Sequence, residues 1–281
     1  MMLPGFKCQK PKLQKQMASF FVHIRRLRDS KAKLWALIEI SGKSHLSSCR
    51  FLTLLLGGFS MNAILFDLDR TLHDRDASVL QFLKAQHRYL NELQHSAIPY
   101  TYIDRFIELE CRGYVWKDKV YSTLAQEFSL PLTPEELLLE YVAGFHLHCQ
   151  EIDEASALLD FLKTKGYKIG MVTNGMSDIQ NKTIDSLGIR SYFDTIIISE
   201  EAGIKKPDPA IFNMAAEVLG TAPSECLYIG DHYENDILAA QKAGMKAAWL
   251  TEDESAVSEH VADLKISSLG ELKGYLTTYT L

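Results

Sequence analysis

The stretch Ala63-Ile64-Leu65-Phe66-Asp67-Leu68-Asp69-Arg70-Thr71 decides the fold and the chemistry of this chain. Its apolar residues predict a buried β-strand at 63–68, and two carboxylates lie at its end. Alternate side chains of a strand share one face, so Asp67 and Asp69 are expected on the same side. Carboxylates ~4 Å apart repel by ~4 kcal/mol at an effective dielectric of ~20, so the pair needs a cation, a shared proton or solvent. A strand running into a polar turn is the alternative for this stretch taken alone.

Three later segments also carry polar residues at or near predicted strand ends. In chain order these residues are Thr173, Asn174 and Gly175; Lys205 and Lys206; and Asp231, Asn235 and Asp236. In open α/β sheets, ligands bind in the crevice outside the carboxyl ends of the strands. The side chains of all four segments are therefore expected to converge on one crevice.

Short aliphatic or β-branched runs alternate with helical stretches from residue 151 onward, and a similar run lies at 63–68. This alternation predicts a parallel sheet covered by helices on both faces. Residues 75–150 interrupt it, because they read as helix and contain no strand-like run. The predicted fold class is α/β: a Rossmann-like, doubly wound parallel sheet core (61–74 and 151–281) with an inserted all-helical domain (75–150).

The four polar segments, taken in order, resemble the haloacid dehalogenase superfamily over roughly residues 61–274. The resemblance implies that the inserted helices form a cap over the active site. It also implies that Asp67 is the nucleophile, and that Asp69 protonates the leaving oxygen and then activates water. Dehalogenases of this superfamily lack an acid at the second position, because a halide leaves without a proton. Asp69 therefore favours phosphoryl transfer over carbon–halogen cleavage.

The same resemblance assigns a phosphate-binding set. Thr173 and the backbone amides of Asn174 and Gly175 are expected to bind phosphate oxygens at a helix N-terminus. Lys206 is expected to neutralise the charge shared by Asp67 and the phosphoryl group. We choose Lys206 over Lys205 because it directly precedes a proline, as the lysine of the superfamily does.

The resemblance also implies a metal site. Asp67, the backbone carbonyl of Asp69, and Asp231 are the expected ligands, with Asp236 binding through water or orienting the site. Ligation by oxygen alone, together with phosphate and water, points to Mg²⁺ as the cofactor.

The leading interpretation is a Mg²⁺-dependent phosphatase of small phosphorylated metabolites, with nucleoside monophosphates or sugar phosphates first. A phosphomutase is the second alternative and ranks lower. Mutases of the superfamily carry an Arg-Asp-Gly-Val-type segment after the first motif, and His73-Asp74-Arg75-Asp76-Ala77 differs from it. A non-enzymatic regulator is the third, although a pure binding module has no use for the intact acids.

The amino-acid composition limits the classes of binding partner and the cellular compartment that we expect. Residues 61–281 hold 19 Lys/Arg and 34 Asp/Glu, a balance of −15, which does not favour nucleic-acid binding. Five cysteines, without regular spacing, indicate a reducing compartment, and we expect a cytoplasmic protein. We expect a small phosphorylated substrate, no membrane partner, and a monomer or homodimer.

Residues 1–60 read differently from the rest. They carry eleven Lys/Arg against two acids, and their apolar run at 51–56 is too short to span a bilayer. This segment is predicted to be an extension outside the domains, either an organellar targeting segment or translated upstream sequence. We favour the second, because Gly57-Gly58 can be encoded by a purine-rich ribosome-binding tract just before the codon of Met61.

A chain that starts at Met61 is therefore expected to fold and turn over substrate as well as the full chain. All four motifs lie after Met61. Thermal midpoints and kcat/KM of the two proteins would be compared. A loss of more than about 2 kcal/mol of stability would show that the first sixty residues pack as part of the domain.

Overall fold

A computed structural model describes residues 61–94, 97–252 and 262–279; the predicted extension at 1–60 lies outside the described residues. Six strands form one sheet in the order β3-β2-β1-β4-β5-β6, and every neighbouring pair is parallel. The strands are β1 (Ala63–Phe66), β2 (Lys168–Thr173), β3 (Thr195–Ile198), β4 (Cys226–Gly230), β5 (Lys246–Leu250) and β6 (Leu264–Ile266). The predicted α/β class with a parallel, Rossmann-like sheet is confirmed.

Helices cover both faces of this sheet. Helix α5 (Ala155–Thr164) directly precedes β2. The helices after β2 are α6 (Ser177–Ser186), α7 (Ser199–Ala202), α8 (Pro209–Leu219), α9 (Ala239–Lys242) and α10 (Leu269–Tyr279). Alternate residues of β1 enter opposite apolar layers: Ile64 and Phe66 join one cluster, and Ala63 and Leu65 join the other. The period of two along the strand thus produces the two buried faces of the sheet.

Between β1 and α5 lie four further α-helices: α1 (Arg75–Leu93), α2 (Thr101–Glu110), α3 (Lys117–Glu127) and α4 (Pro134–Gly144). We call this group the helical insertion. It has an apolar cluster of its own, in which Phe82, Phe106 and Tyr121 are buried. The described residues between 75 and 150 contain no strand, as the sequence predicts.

Strand β1 ends at Phe66, two residues earlier than the predicted strand 63–68. The backbone N–H groups of Thr71, Leu72 and His73 all donate to the carbonyl of Leu68, so the chain turns there. Arg70 closes the turn in the left-handed region, at φ 61°. This turn directs Asp67 and Asp69 away from the strand and over the edge of the sheet.

The described cysteines, Cys111, Cys149 and Cys226, are free thiols. Within residues 61–94, 97–252 and 262–279, no helix combines the length and the apolarity that a membrane span requires.

Candidate active site

A cleft of about 630 Å³ lies between the carboxyl edge of the sheet and the helical insertion. Its core side includes seven of the predicted site residues: Asp67, Asp69, Asn174, Gly175, Lys206, Asp231 and Asp236. Its other side comes from the insertion and includes Arg75, Arg112, Tyr114, Trp116 and Lys117. The structure thus brings together residues that lie up to 169 positions apart in the sequence.

A buried ammonium group holds two of the carboxylates. Lys206 Nζ donates to Asp67 Oδ1 at 2.7 Å and to Asp236 Oδ1 at 2.6 Å, and Tyr228 Oη lies 3.1 Å away. Burial alone would lower the pKa of Lys206, but the charges of Asp236 and Asp67 raise it, so the side chain is a cation. Lys205 is exposed, and the structure places Lys206 beside Asp67.

Three carboxylates of the core meet at one point. Asp67, Asp231 and Asp236 offer oxygens that all lie within 4.8 Å of one another. Burial raises the pKa of Asp67, and the neighbouring carboxylates add to this rise against the opposing charge of Lys206. Burial and the charge of Asp236 also raise the pKa of Asp231, to about 6. Three acids facing one lysine leave excess negative charge, and an all-oxygen set of this kind fits a divalent cation such as Mg²⁺.

Gly230, the last residue of β4, permits this approach. A Cβ atom at position 230 would lie 2.5 Å from Cβ of Asp236, closer than side chains pack. Asp236 is fully buried, and its Oδ2 accepts from the backbone N–H of His232 at 2.9 Å. The missing side chain at 230 therefore allows Asp236 to reach Lys206.

Asp69 is held from two sides. His73 Nδ1 lies 2.8 Å from Oδ1, and Gln180 Nε2 donates to Oδ2 at 3.2 Å. Burial would raise the pKa of Asp69, but the hydrogen bond and charge of His73 hold it well below its usual range. Burial would likewise lower the pKa of His73, but the hydrogen bond to Asp69 raises it to about 9.

The hydrogen bonds of Ser78 fix the role of the second ring nitrogen of His73. The Ser78 hydroxyl donates to the carbonyl of Asp74 at 2.6 Å and accepts from the backbone N–H of Gln150. Having used its proton, this hydroxyl accepts from His73 Nε2 at 2.9 Å. His73 therefore carries a proton on Nε2, and its Nδ1 faces the carboxylate of Asp69.

The predicted phosphate-binding turn follows β2. The buried Thr173 hydroxyl accepts from Gln180 Nε2 at 2.7 Å. Asn174 holds the backbone of Lys206 at both ends, accepting from its N–H at 2.9 Å and donating to its carbonyl at 3.0 Å. The N–H of Gly175 donates to Ser199 Oγ at 3.0 Å. The turn thus positions Lys206 and Gln180, and its assignment to phosphate stays a prediction.

On the insertion side, Glu110 binds two cations. Arg75 makes a two-pronged contact with it, Nη1 to Oε1 at 3.0 Å and Nη2 to Oε2 at 2.7 Å. Lys117 Nζ donates to Oε2 at 2.6 Å. Burial would raise the pKa of Glu110, but Arg75 and then Lys117 lower it to about 2.

The insertion also contacts the loop that follows β4 in the core. Tyr114 Oη lies 2.6 Å from Nε2 of His232, and a guanidinium nitrogen of Arg112 lies 3.7 Å from Asp231 Oδ2. Cys111 and Arg112 both have positive φ, 48° and 56°, which shapes the loop that reaches across the cleft.

Reasoning from the sequence alone missed His73, Gln180, Tyr228 and Glu110. His73 left one usable signal, a titratable side chain four residues after a candidate catalytic carboxylate. Gln180 and Glu110 lie on helices far from Asp69 and Arg75 in the sequence, so no local motif marks them. Tyr228 lies on β4 just before Asp231, where an aromatic residue reads as part of the buried strand.

Comparison with known proteins agrees with this geometry. The model of the family described as haloacid dehalogenase-like hydrolase matches residues 64–250, which is more than half of the chain. The chain belongs to this family. Its members in solved structures include the hydrolase YfnB of Bacillus subtilis, bound to magnesium and described as revealing interdomain movement. That structure has a TM-score of 0.64 and 26% identity, over 77% of this chain and 99% of YfnB.

Two curated relatives act on phosphate compounds. The pyrimidine 5'-nucleotidase YjjG of Escherichia coli K12 is 35% identical over 52% of this chain, and the match covers 66% of YjjG, just under two thirds of its length. The pyrophosphatase PpaX of Bacillus velezensis is 28% identical over 75% of this chain and 94% of PpaX.

Glu110→Gln is expected to destabilise the protein at neutral pH, because it leaves two buried cations without a carboxylate. A folded-state pKa of about 2 means that the ionised carboxylate stabilises the fold above its unfolded pKa of ~4.5. That contribution, roughly 3 kcal/mol, is lost as the pH falls through the window from about 5 to 2. Urea unfolding of wild type and variant would be measured at pH 7, 5 and 3. The difference in unfolding free energy between them is expected to become smaller as the pH falls.

Glu127→Gln is the matched control. Glu127 pairs with Arg105 on the same insertion but is exposed, so little change is expected. Equal stability of Glu110→Gln and wild type at pH 7, or a difference that does not vary with pH, would contradict the assignment.

Proposed function

We propose that this protein is a Mg²⁺-dependent phosphatase of small phosphorylated metabolites that acts through an aspartyl-phosphate on Asp67. One observation carries the proposal: two carboxylates at one strand end stand in different environments. Asp67 is paired with the Lys206 ammonium at 2.7 Å, and Asp69 with the His73 ring at 2.8 Å. Each acid therefore suits a different part of the same reaction.

In the first step, a carboxylate oxygen of Asp67 attacks phosphorus, and the bond from phosphorus to the ester oxygen breaks. Lys206 compensates the charge that collects on the phosphoryl oxygens. The raised pKa of His73 keeps a proton on Nδ1 beside Oδ1 of Asp69, and this proton passes to Asp69, which protonates the leaving oxygen. In the second step, Asp69 accepts a proton from water, which attacks phosphorus and releases Asp67 and inorganic phosphate.

Asp67, the backbone carbonyl of Asp69, and Asp231 would hold Mg²⁺, with Asp236 orienting the site. When bound, this ion supplies positive charge that reduces repulsion between the carboxylates and the phosphoryl group. The raised pKa values of Asp67 and Asp231 support this role, because burial and then the neighbouring carboxylates disfavour their charged forms, which a bound cation would stabilise.

We also propose that the core comprises 61–74 and 151–281, and that 75–150 is a cap that closes over the cleft. The separate apolar cluster of the insertion and its contacts to His232 and Asp231 support this division. The interdomain movement described for YfnB is consistent with it. Small phosphorylated metabolites are the proposed substrates, with nucleoside monophosphates and sugar phosphates first. A reducing, cytoplasmic location and a monomer or homodimer complete the proposal.

Asp67→Asn and Asp69→Asn are each expected to remove nearly all phosphatase activity while the fold stays intact. The amide keeps the shape of the side chain but can neither attack phosphorus nor exchange the proton. Losing the acid–base alone is expected to cost about 10²-fold or more. Hydrolysis of p-nitrophenyl phosphate with Mg²⁺ would measure this, with circular dichroism to check folding.

Asp76→Asn is the matched control, because Asp76 is an exposed acid of the same region and pairs with Arg70. Turnover above about a tenth of wild type in pure Asp67→Asn protein would sink the nucleophile assignment.

Activity is expected to require Mg²⁺ and to be inhibited by Ca²⁺. Calcium prefers a larger and more flexible shell of about 6–8 oxygens, which would misplace the attacking carboxylate. Rates would be measured in chelator, after adding back Mg²⁺, and after adding Ca²⁺. Full activity in excess chelator, or equal rates with the two ions, would exclude the proposed metal role.

A further inference from the structure

The two sides of the cleft carry opposite charge. The core side holds four carboxylates against three cations, whereas the charged residues of the insertion that line the cleft are all cations: Asp67, Asp69, Asp231 and Asp236 against Arg70, Lys205 and Lys206 on the core side, and Arg75, Arg112 and Lys117 on the insertion side. The proposed chemistry uses the core side and assigns nothing to the cations of the insertion.

Arg75 and Lys117 form a buried cluster with an excess of positive charge. Their side chains are only 10% and 2% exposed, and Glu110 between them is 3% exposed. One carboxylate therefore faces two cations, which leaves one formal positive charge inside the protein. An uncompensated buried charge is costly, and it is retained where a partner or ligand supplies the opposite charge.

Two helix ends add to this positive charge. Arg75 is the first residue of the 19-residue helix α1, and Lys117 is the first residue of the 11-residue helix α3. The N-terminus of a helix carries a partial positive charge, so a cation there is electrostatically unfavourable. Burial lowers the pKa of Lys117, and Glu110 only partly opposes this. Helix position and charge count thus both indicate that Lys117 has less negative charge around it than its own charge and that of Arg75 require.

If these cations served only to neutralise the buried carboxylate of Glu110, one of them would be enough. Arg75 already satisfies both oxygens of Glu110, and an apolar side chain at 117 would pack against Phe106 and Tyr141, whose ring centres lie 5.8 and 5.4 Å from Lys117 Nζ. The other arginine cluster of the insertion has the reverse balance: Arg105 binds two acids, Glu108 and Glu127, and lies outside the cleft.

The excess charge lies beside the acid–base residue. Arg75 and Lys117 line the same cleft as Asp69. Asp69 itself is already paired with His73 and Gln180. Because Asp69 faces the leaving oxygen in the proposed reaction, the cations lie on the leaving-group side.

We propose that the leaving group of the substrate carries a second anion, a carboxylate or a second phosphoryl group, which binds Arg75 and Lys117. This inference rests on the proposed phosphatase function and narrows it. It places phosphorylated acids, sugar-acid phosphates and bisphosphates ahead of nucleoside monophosphates, whose leaving groups are neutral.

Matched substrate pairs test the proposal. O-phosphoserine differs from O-phosphoethanolamine by one carboxylate, and fructose 1,6-bisphosphate differs from fructose 6-phosphate by one phosphoryl group. Wild type is expected to prefer the more anionic member of at least one pair by about tenfold in kcat/KM, as for one charge-assisted contact. The pair that shows the preference identifies the anion.

Lys117→Met is the decisive variant, because it removes the excess charge and leaves Arg75 and Glu110 as a neutral pair. The preference is expected to fall to about one in this variant and to be largely kept in Lys117→Arg. Arg105→Gln is the control and is expected to keep the wild-type ratio. Thermal midpoints show whether each variant folds.

Calorimetric binding of the same four esters to Asp67→Asn, with and without Lys117→Met, separates this inference from the proposed function. Binding preference for the anionic member that depends on Lys117, with no turnover of any ester by wild type, would support the anion site and sink the phosphatase assignment. Turnover without preference, or a preference unchanged in Lys117→Met, would overturn the anion site and leave the phosphatase assignment standing.

Discussion

The active edge of this protein depends on one buried ammonium group. Lys206 Nζ reaches Asp67 on β1 and Asp236 after β4, and both oxygens lie within 2.7 Å of it. Without a cation at this point, the carboxylates that converge there would repel one another or bind protons. Several features of the sheet serve this contact: Asn174 clamps the Lys206 backbone, Gly230 makes room for Asp236, and Tyr228 Oη lies against the ammonium.

The charged side chains that the helical insertion presents to the cleft are cations and face the carboxylates of the core, although residues 75–150 as a whole hold seven Lys/Arg and ten Asp/Glu. Core carboxylates that need a cation face insertion cations that need an anion, and a phosphate ester with Mg²⁺ would meet both needs. Glu110 compensates part of the buried positive charge, while Arg75 and Lys117 together exceed what it neutralises. In this proposal the same three side chains, Arg75, Glu110 and Lys117, both stabilise the fold and select the leaving group of the substrate. We regard this as the reason for burying them beside the cleft.

The sequence predicted the parts of this site that follow from strand geometry. Asp67, Asp69 and Asp231 follow strands at one sheet edge, and Lys206, predicted from its place before Pro207, lies in contact with Asp67. The turn at Leu68 was not predictable from periodicity, since Leu68 continues the apolar pattern while its carbonyl accepts three backbone N–H groups. Partners joined across the fold were also missed. Gln180 lies 111 residues from Asp69, and Glu110 lies 35 from Arg75, and neither separation leaves a local pattern.

The central claim is that Asp67 takes the phosphoryl group before water does. The stereochemical course at phosphorus tests it most directly, with a phosphorothioate ester that is chiral through its sulfur and one oxygen isotope and is hydrolysed in water carrying a second oxygen isotope, so that the thiophosphate product is itself chiral. Two successive in-line displacements, first by Asp67 and then by water, predict net retention of configuration. Inversion would mean that water attacks the ester directly, and it would contradict the nucleophilic role of Asp67.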